Sequence, residues 1–230
     1  MCKDPTLVNH ADNDDDTDAD SAFADATGPN DRQQMEGLDL THHWMTLLFD
    51  DKLFLAPIGD NPQRILDVGT GTGIWAIDVA DMLPSAELNW VWQPNYFDYI
   101  HIRHLGGCID DWPRLYGQAF SRLKPGGYFE SCDYDIQTRS ESDLVGPDHI
   151  YTRWYETLLE ASEKSGRSFQ FPPPQGSMRE LMERAGFEDV VYRCWKIPIG
   201  AWPRDKKMKQ LGLFTAEFID GSIEGFALYL

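Results

Sequence analysis

Positive charge is scarce in this 230-residue chain: 20 Lys and Arg stand against 38 Asp and Glu, a formal net charge of −18. That balance argues against binding to a phosphate backbone, where cationic side chains supply most of the affinity. Cysteine is also sparse. Cys2, Cys108, Cys132 and Cys194 are scattered, with no C-x-x-C pair, so neither a zinc site nor a disulfide framework is expected and a reducing compartment is the default. No apolar run is long enough to span a membrane, and no secretory signal pattern precedes the body of the chain. The expected location is the cytoplasm or the nucleus. The remaining composition, 42% hydrophobic and 13% aromatic, describes a soluble globular domain with enough chain for a real core.

The stretch that organises the chain is Arg64 to Ala76, R-I-L-D-V-G-T-G-T-G-I-W-A. Ile65, Leu66 and Val68 make the short apolar run of a buried parallel strand. Gly69, Gly71 and Gly73 then turn the chain where a Cβ would block the turn or the close approach of a ligand. Ile74 to Leu83 follows as a helix, with Pro84 just past its end. Strand, turn and helix N-terminus form a pocket lined by backbone N–H groups, a nucleotide-type site. The spacing is G-x-G-x-G, so glycines alone do not name the ligand. Asp67 adds information, because a carboxylate before the turn suits a cationic amino-acid tail and repels a pyrophosphate. A methyl-donor site fits better than a dinucleotide site.

Residues Met1 to Glu36 carry the run N-H-A-D-N-D-D-D-T-D-A-D and little to bury, which predicts a disordered acidic tail with a protein partner as its alternative role. Residues 37–230 form the folded domain. Leu40, Trp44, Leu47 and Leu48 lie at helical spacing behind Thr41 as cap, with His42 and His43 at the helix start. Between Pro84 and Phe97 there is room only for one short strand, Leu88 to Trp92, and no acidic residue follows it; Gln93 and Asn95 are the polar substitutes. Tyr96 to Leu105 reads as the next central strand, with His101, Arg103 and His104 at the C-terminal end, where open α/β sheets place ligands. Trp112 to Leu123 is a helix stopped by Lys124-Pro125-Gly126-Gly127. Tyr128 to Asp135 is a strand bearing Glu130, Asp133 and Asp135. Ile150 to Lys164 is an amphipathic helix with Ile150, Trp154 and Leu158 on one face. Ser177 with Glu180 forms a capping box for Met178 to Ala185, Val190 to Pro198 reads as a strand, and Lys206 to Leu230 is helical in pattern. The final F-A-L-Y-L is an apolar run without a polar cap, the ending expected of a chain with a missing continuation.

These residues resemble a class I S-adenosylmethionine (SAM) dependent methyltransferase, and more narrowly the fungal group that includes the LaeA-type regulators of secondary metabolism. The resemblance rests on L-A-P-I at Leu55, I-L-D-V-G-T-G-T-G-I-W-A-I-D at Ile65 and F-D-Y-I-H-I-R at Phe97. It continues through D-W-P-R-L-Y at Asp111, L-K-P-G-G-Y-F-E at Leu123, E-L-M-E-R-A-G-F at Glu180 and G-A-W-P at Gly200. It implies an α/β fold with a Rossmann-like class I methyltransferase sheet. This chain departs from that pattern by lacking the second and third strand region, with its acidic ribose ligand and adenine contacts, and the final antiparallel strand. It also implies SAM as cofactor, with the methionine part over Gly69, Thr70, Gly71, Thr72 and Gly73 and its amino group near Asp67. The lost ribose carboxylate is expected to weaken binding about ten- to a hundredfold, the size of a charged hydrogen bond.

The leading expectation is therefore a methyltransferase acting on a small molecule or a protein in fungal secondary metabolism. Alignment for in-line displacement carries most of that catalysis, and it needs no metal ion. His101 and His104 are the candidate bases, followed by His42 and His43. The competing expectation is a catalytically inactive, methyltransferase-like regulatory or partner-binding protein. A nicotinamide-dependent oxidoreductase is the third, and it leaves Asp67 and the K-P-G-G turn unexplained.

Overall fold

A helix comes before the sheet. The computed structural model describes residues 32–83, 93–140 and 145–229, and the first element, α1 (Arg32–Leu48), is longer than its periodicity predicts. Thr41 is not its cap: it lies inside the helix, and its Oγ1 donates back to the Gly37 carbonyl at 2.9 Å, the usual way a mid-helix threonine satisfies its hydroxyl. α1 thus begins before the residue 36/37 division and runs through it. Residues 1–31 of the acidic tail, and the short strand expected at Leu88 to Trp92, lie outside the described residues.

β1 (Ile65–Val68) and α2 (Ile74–Met82) follow the organising motif. Then come β2 (Phe97–Arg103), α3 (Trp112–Arg122), β3 (Leu123–Cys132), α4 (Ile150–Ser165), α5 (Met178–Ala185) and α6 (Lys206–Tyr229). Local chemistry sets several of these boundaries. Asp111 caps α3 by accepting from Arg114 N at 2.8 Å, and the Ser177–Glu180 capping box opens α5 as expected. Gly166 and Gly186, both left-handed, close α4 and α5.

The described strands are parallel and ordered β1-β2-β3, a trimmed Rossmann-like sheet. Side chains alternate across it. Ile102 faces the cluster of Leu115 and Tyr116 from α3 and Leu181 from α5. On the opposite face, Ile65 and Tyr99 meet Trp75 and Val79 of α2. α1 lies along α6, with Trp44, Met45 and Leu48 around Leu211. Register pairs Asp67 with His101 and His101 with Glu130, so a polar row crosses the sheet on the α1/α2 side.

Three expectations change. Lys124-Pro125-Gly126-Gly127 ends α3 but sits inside β3, bulging outward between the pairs Leu123–Phe97 and Tyr128–Tyr99. Pro125 has no N–H to pair and Gly126 has φ 80°, which favour a bulge over a continuous ladder. Val190 to Pro198 is not a strand. Its β-branched and aromatic residues favour extended backbone, but a strand also needs a neighbouring edge within reach, and Val191 is 76% exposed. The segment is anchored instead at Gly200, whose N–H donates to the Gly212 carbonyl of α6 at 2.7 Å. Finally, Leu158 is the buried residue of the α4 stripe, and Ile150 is 68% exposed.

Candidate functional site

The chain leaves β1 through Gly69, Gly71 and Gly73, with φ of 73°, 54° and 79°. Residues with a Cβ rarely adopt these values, so the turn itself requires glycine. Gly69 also meets a packing limit: a Cβ there would stand 2.7 Å from Leu105 Cδ2. The turn is closed by Gly73 N donating to the Thr70 carbonyl at 2.8 Å. Gly69 and Gly71 are solvent-exposed, Thr70, Thr72 and Gly73 half-buried. α2 starts at Gly73 without a side-chain cap from Gly73 itself; its first N–H group, on Ile74, donates to Thr72 Oγ1 at 3.4 Å.

α1 lies over this loop. Leu38 Cδ1 is 3.1 Å from where a Cβ on Gly71 would be, and Thr72 Oγ1 donates to Asp39 Oδ1 at 2.6 Å. One turn on, His42 Nε2 meets Asp78 Oδ2 of α2 at 2.9 Å, and its Nδ1 takes a hydrogen bond from Arg103 Nη2 at 3.0 Å. That pattern fixes a neutral His42 with the proton on Nε2. Burial lowers its pKa below the ordinary value and Arg103 adds to the effect, against the raising influence of Asp78. Sequence reasoning missed Leu38 and Asp39, because nothing in G-L-D-L marks it as the cover of a loop thirty-odd positions away.

The polar row explains Asp67 and His101. Asp67 is 7% exposed, and its Oδ1 meets His101 Nδ1 at 2.8 Å. The His101 ring is stacked on Trp75 at 3.8 Å and 7°, and Trp75 is pinned by Nε1 donating to the Leu53 carbonyl at 2.7 Å. His101 is 2% exposed, so it orients Asp67 from below. At the other end of the row, Glu130 Oε2 accepts from Leu55 N and Ala56 N at 2.8 and 2.7 Å. The L-A-P-I stretch is therefore clasped to β3. Asp133 acts similarly, accepting from Leu105 N and Gly106 N at 3.1 and 2.9 Å. Burial raises its pKa to about 6 despite these donors.

His104 ends β2 in the left-handed region, φ 57°. Its Nε2 is 3.1 Å from Met45 Sδ, and its ring meets Tyr134 edge-on at 4.9 Å. Burial, then Arg103 and His101, hold its pKa well below the ordinary histidine value, so the ring is neutral. His43 is exposed and set edge-on against Phe214, apart from the loop. Gln93 and Asn95 are exposed, and Asn95 N donates to the Ser121 carbonyl at the end of α3, at 3.2 Å.

A cleft of about 2520 Å3 opens on the far side of β3, between β3 and the extended 187–203 segment. Its walls include Trp44, Tyr134, Val191, Trp195 and Trp202, and it does not include the glycine loop or Asp67. His104 touches residues of its rim, Met45 and Tyr134.

Residues 40–192 match a protein family described as a methyltransferase domain. Over 230 residues the chain is 36% identical to the methyltransferase pytC of Aspergillus terreus, covering 88% of this chain and 69% of that one. It is 30% identical over 231 residues to the secondary metabolism regulator laeA of Fusarium oxysporum f. sp. lycopersici, covering 87% and 72%. Among solved structures, a SAM-dependent methyltransferase from Thermotoga maritima matches at 20% identity with a TM-score of 0.41, covering 68% of this chain and 76% of that one.

Proposed function

This chain belongs to the methyltransferase-domain family, and we propose that it binds SAM at the glycine loop and methylates a small molecule or protein of fungal secondary metabolism. The observation that carries this reading is the loop itself: three left-handed glycines at the C-terminal end of β1, two of them exposed, beside a buried carboxylate and beneath α1. The residues present fit the amino-acid end of such a cofactor. Asp67 suits an ammonium group, and its Oδ2 makes no hydrogen bond among the described residues. Gly69, Thr70, Gly71, Thr72 and Gly73 line the loop with backbone groups at the start of α2, where helix N-termini favour anionic ligand groups.

When bound, the cofactor supplies a sulfonium-activated methyl group. The chain's own contribution is to bind, align and exclude water. We assign His101 to positioning Asp67. His104, neutral and beside the cleft rim, is the better candidate for accepting a proton from an acceptor in the cleft. The apolar cleft walls favour an acceptor with a hydrophobic body. No helix among the described residues is long and apolar enough to cross a membrane, and the expected compartment remains the cytoplasm or nucleus. The second reading, a regulatory protein without catalysis, draws on the relatives described as secondary metabolism regulators.

Calorimetry of SAM and S-adenosylhomocysteine with the full chain tests the reading. Micromolar binding, abolished by Gly71→Val, supports it; φ 54° and the nearby Leu38 leave no place for valine. A folded chain that binds neither ligand would sink the enzyme reading.

A further inference from the structure

Arg103 is the cation of the polar face, and the reading above does not use it. It ends β2, directly beyond the pair Ile102–Val68, and so stands beside Gly69. Its guanidinium lies between the sheet and α1, one helical turn from the contacts that Leu38 and Asp39 make with the glycine loop. The only hydrogen bond it makes among the described residues is to the neutral His42 ring. Two carboxylates share its neighbourhood, and both are committed elsewhere: Asp67 to His101, Glu130 to the Leu55 and Ala56 amides. Neither forms an ion pair with it. A desolvated cation is costly unless an anion or several acceptors compensate it, and a guanidinium has five N–H donors to satisfy in a planar fork.

We propose that Arg103 is the receptor for the α-carboxylate of the methyl donor, at the end of the glycine loop and under α1. Resting on the cofactor reading above, this completes a receptor for an amino-acid zwitterion: Asp67 on β1 for the ammonium, Arg103 on β2 for the carboxylate. His42 is the positioning residue, taking one Nη2 hydrogen and leaving the rest of the fork for the ligand. The Asp78 carboxylate keeps the His42 proton on Nε2, so Nδ1 stays an acceptor toward Arg103. A carboxylate is the matching ligand because it can accept two parallel N–H bonds from such a fork.

The test is calorimetric binding of S-adenosylhomocysteine and of its decarboxylated analogue to the full chain, Arg103→Lys and Arg103→Met, with a thermal melt of each variant as a folding control. The wild-type chain is expected to prefer the carboxylated ligand about ten- to a hundredfold, the size of a charge-assisted pair. In Arg103→Met that preference collapses, because affinity for S-adenosylhomocysteine falls while affinity for the analogue holds; Arg103→Lys keeps part of it. The ratio is read within one variant, so a general loss of stability does not mimic it. Equal loss of both ligands, or an unchanged preference in Arg103→Met, overturns the proposal; the latter result would send Arg103 to an anionic acceptor instead. If the wild-type chain binds both ligands equally, the cofactor reading stands and the carboxylate assignment fails. If a folded wild-type chain binds neither, both fail.

Discussion

The two sides of β2 are built on opposite principles. Toward β1, directed polar contacts dominate: Asp67 with His101, His42 with Asp78 and Arg103, Thr72 with Asp39. Toward the outer side of β3, the walls carry large, apolar and exposed side chains: Val191 at 76% and Trp202 at 74%. Directional contacts select one ligand, whereas apolar walls accept a range of shapes. The β1 side therefore suits an invariant donor, and the β3 side suits a variable acceptor.

If that contrast is right, changes on the β1 side act on donor binding and stability together, and those at the exposed residues of the cleft on neither. The largest effect is expected from Gly69→Val, which combines left-handed strain of about 1–3 kcal/mol with overpacking of about the same size against Leu105. A lowered melting temperature and no measurable S-adenosylhomocysteine binding are the expected readouts. Next is Asp67→Asn, which keeps the shape but removes the charge. It should cost about 1–3 kcal/mol of stability and at least tenfold in donor affinity, measured by denaturant titration and calorimetry.

The pH dependence sharpens the contrast. His42 and His104 are held neutral, with pKa values below those of the unfolded chain. The unfolded state thus takes up their protons first, and their share of the stability is complete above about pH 6.5 and is lost as pH falls below it. Asp133, raised to about 6, has the opposite sign: its contribution is fullest below about pH 4 and is lost as pH rises toward about 6. A wild-type melting temperature that drops between pH 7 and 5, with a smaller drop in His104→Asn, is the expected result; asparagine tolerates the left-handed backbone at this position. The smallest effect is reserved for Trp202→Ala in the cleft. Stability should change by less than about 0.5 kcal/mol and donor affinity not at all, with acceptor turnover the quantity that moves.

Much of the local structure was legible in the sequence because local rules write it. The run Ile65–Val68, the three glycines and the Ser177–Glu180 box each state their structure within a few residues. What escaped was decided at long range. Asp67 pointed to a ligand, but its capture by His101 depends on the register of β1 against β2. Glu130 and Asp133 read as an acidic pair at a strand end, and each instead clasps a distant backbone segment. Val190 to Pro198 has the composition of a strand but lies across the cleft from the edge strand β3 and does not pair with it. The cover supplied by α1 is set by its packing along α6, at the far end of the chain.

The Glu130 clasp has a consequence for the order of assembly. It joins residues 75 and 74 positions apart in sequence, so its loop-closure entropy must be met before its hydrogen bonds are made. β1, α2 and β2 can assemble before β3 exists, but the L-A-P-I segment cannot settle until β3 has paired. During synthesis, the strand-turn-helix motif therefore takes shape early, and the link from α1 into the sheet locks late. A chain stalled before Glu130 would carry its strand-turn-helix motif with the L-A-P-I link still unclasped.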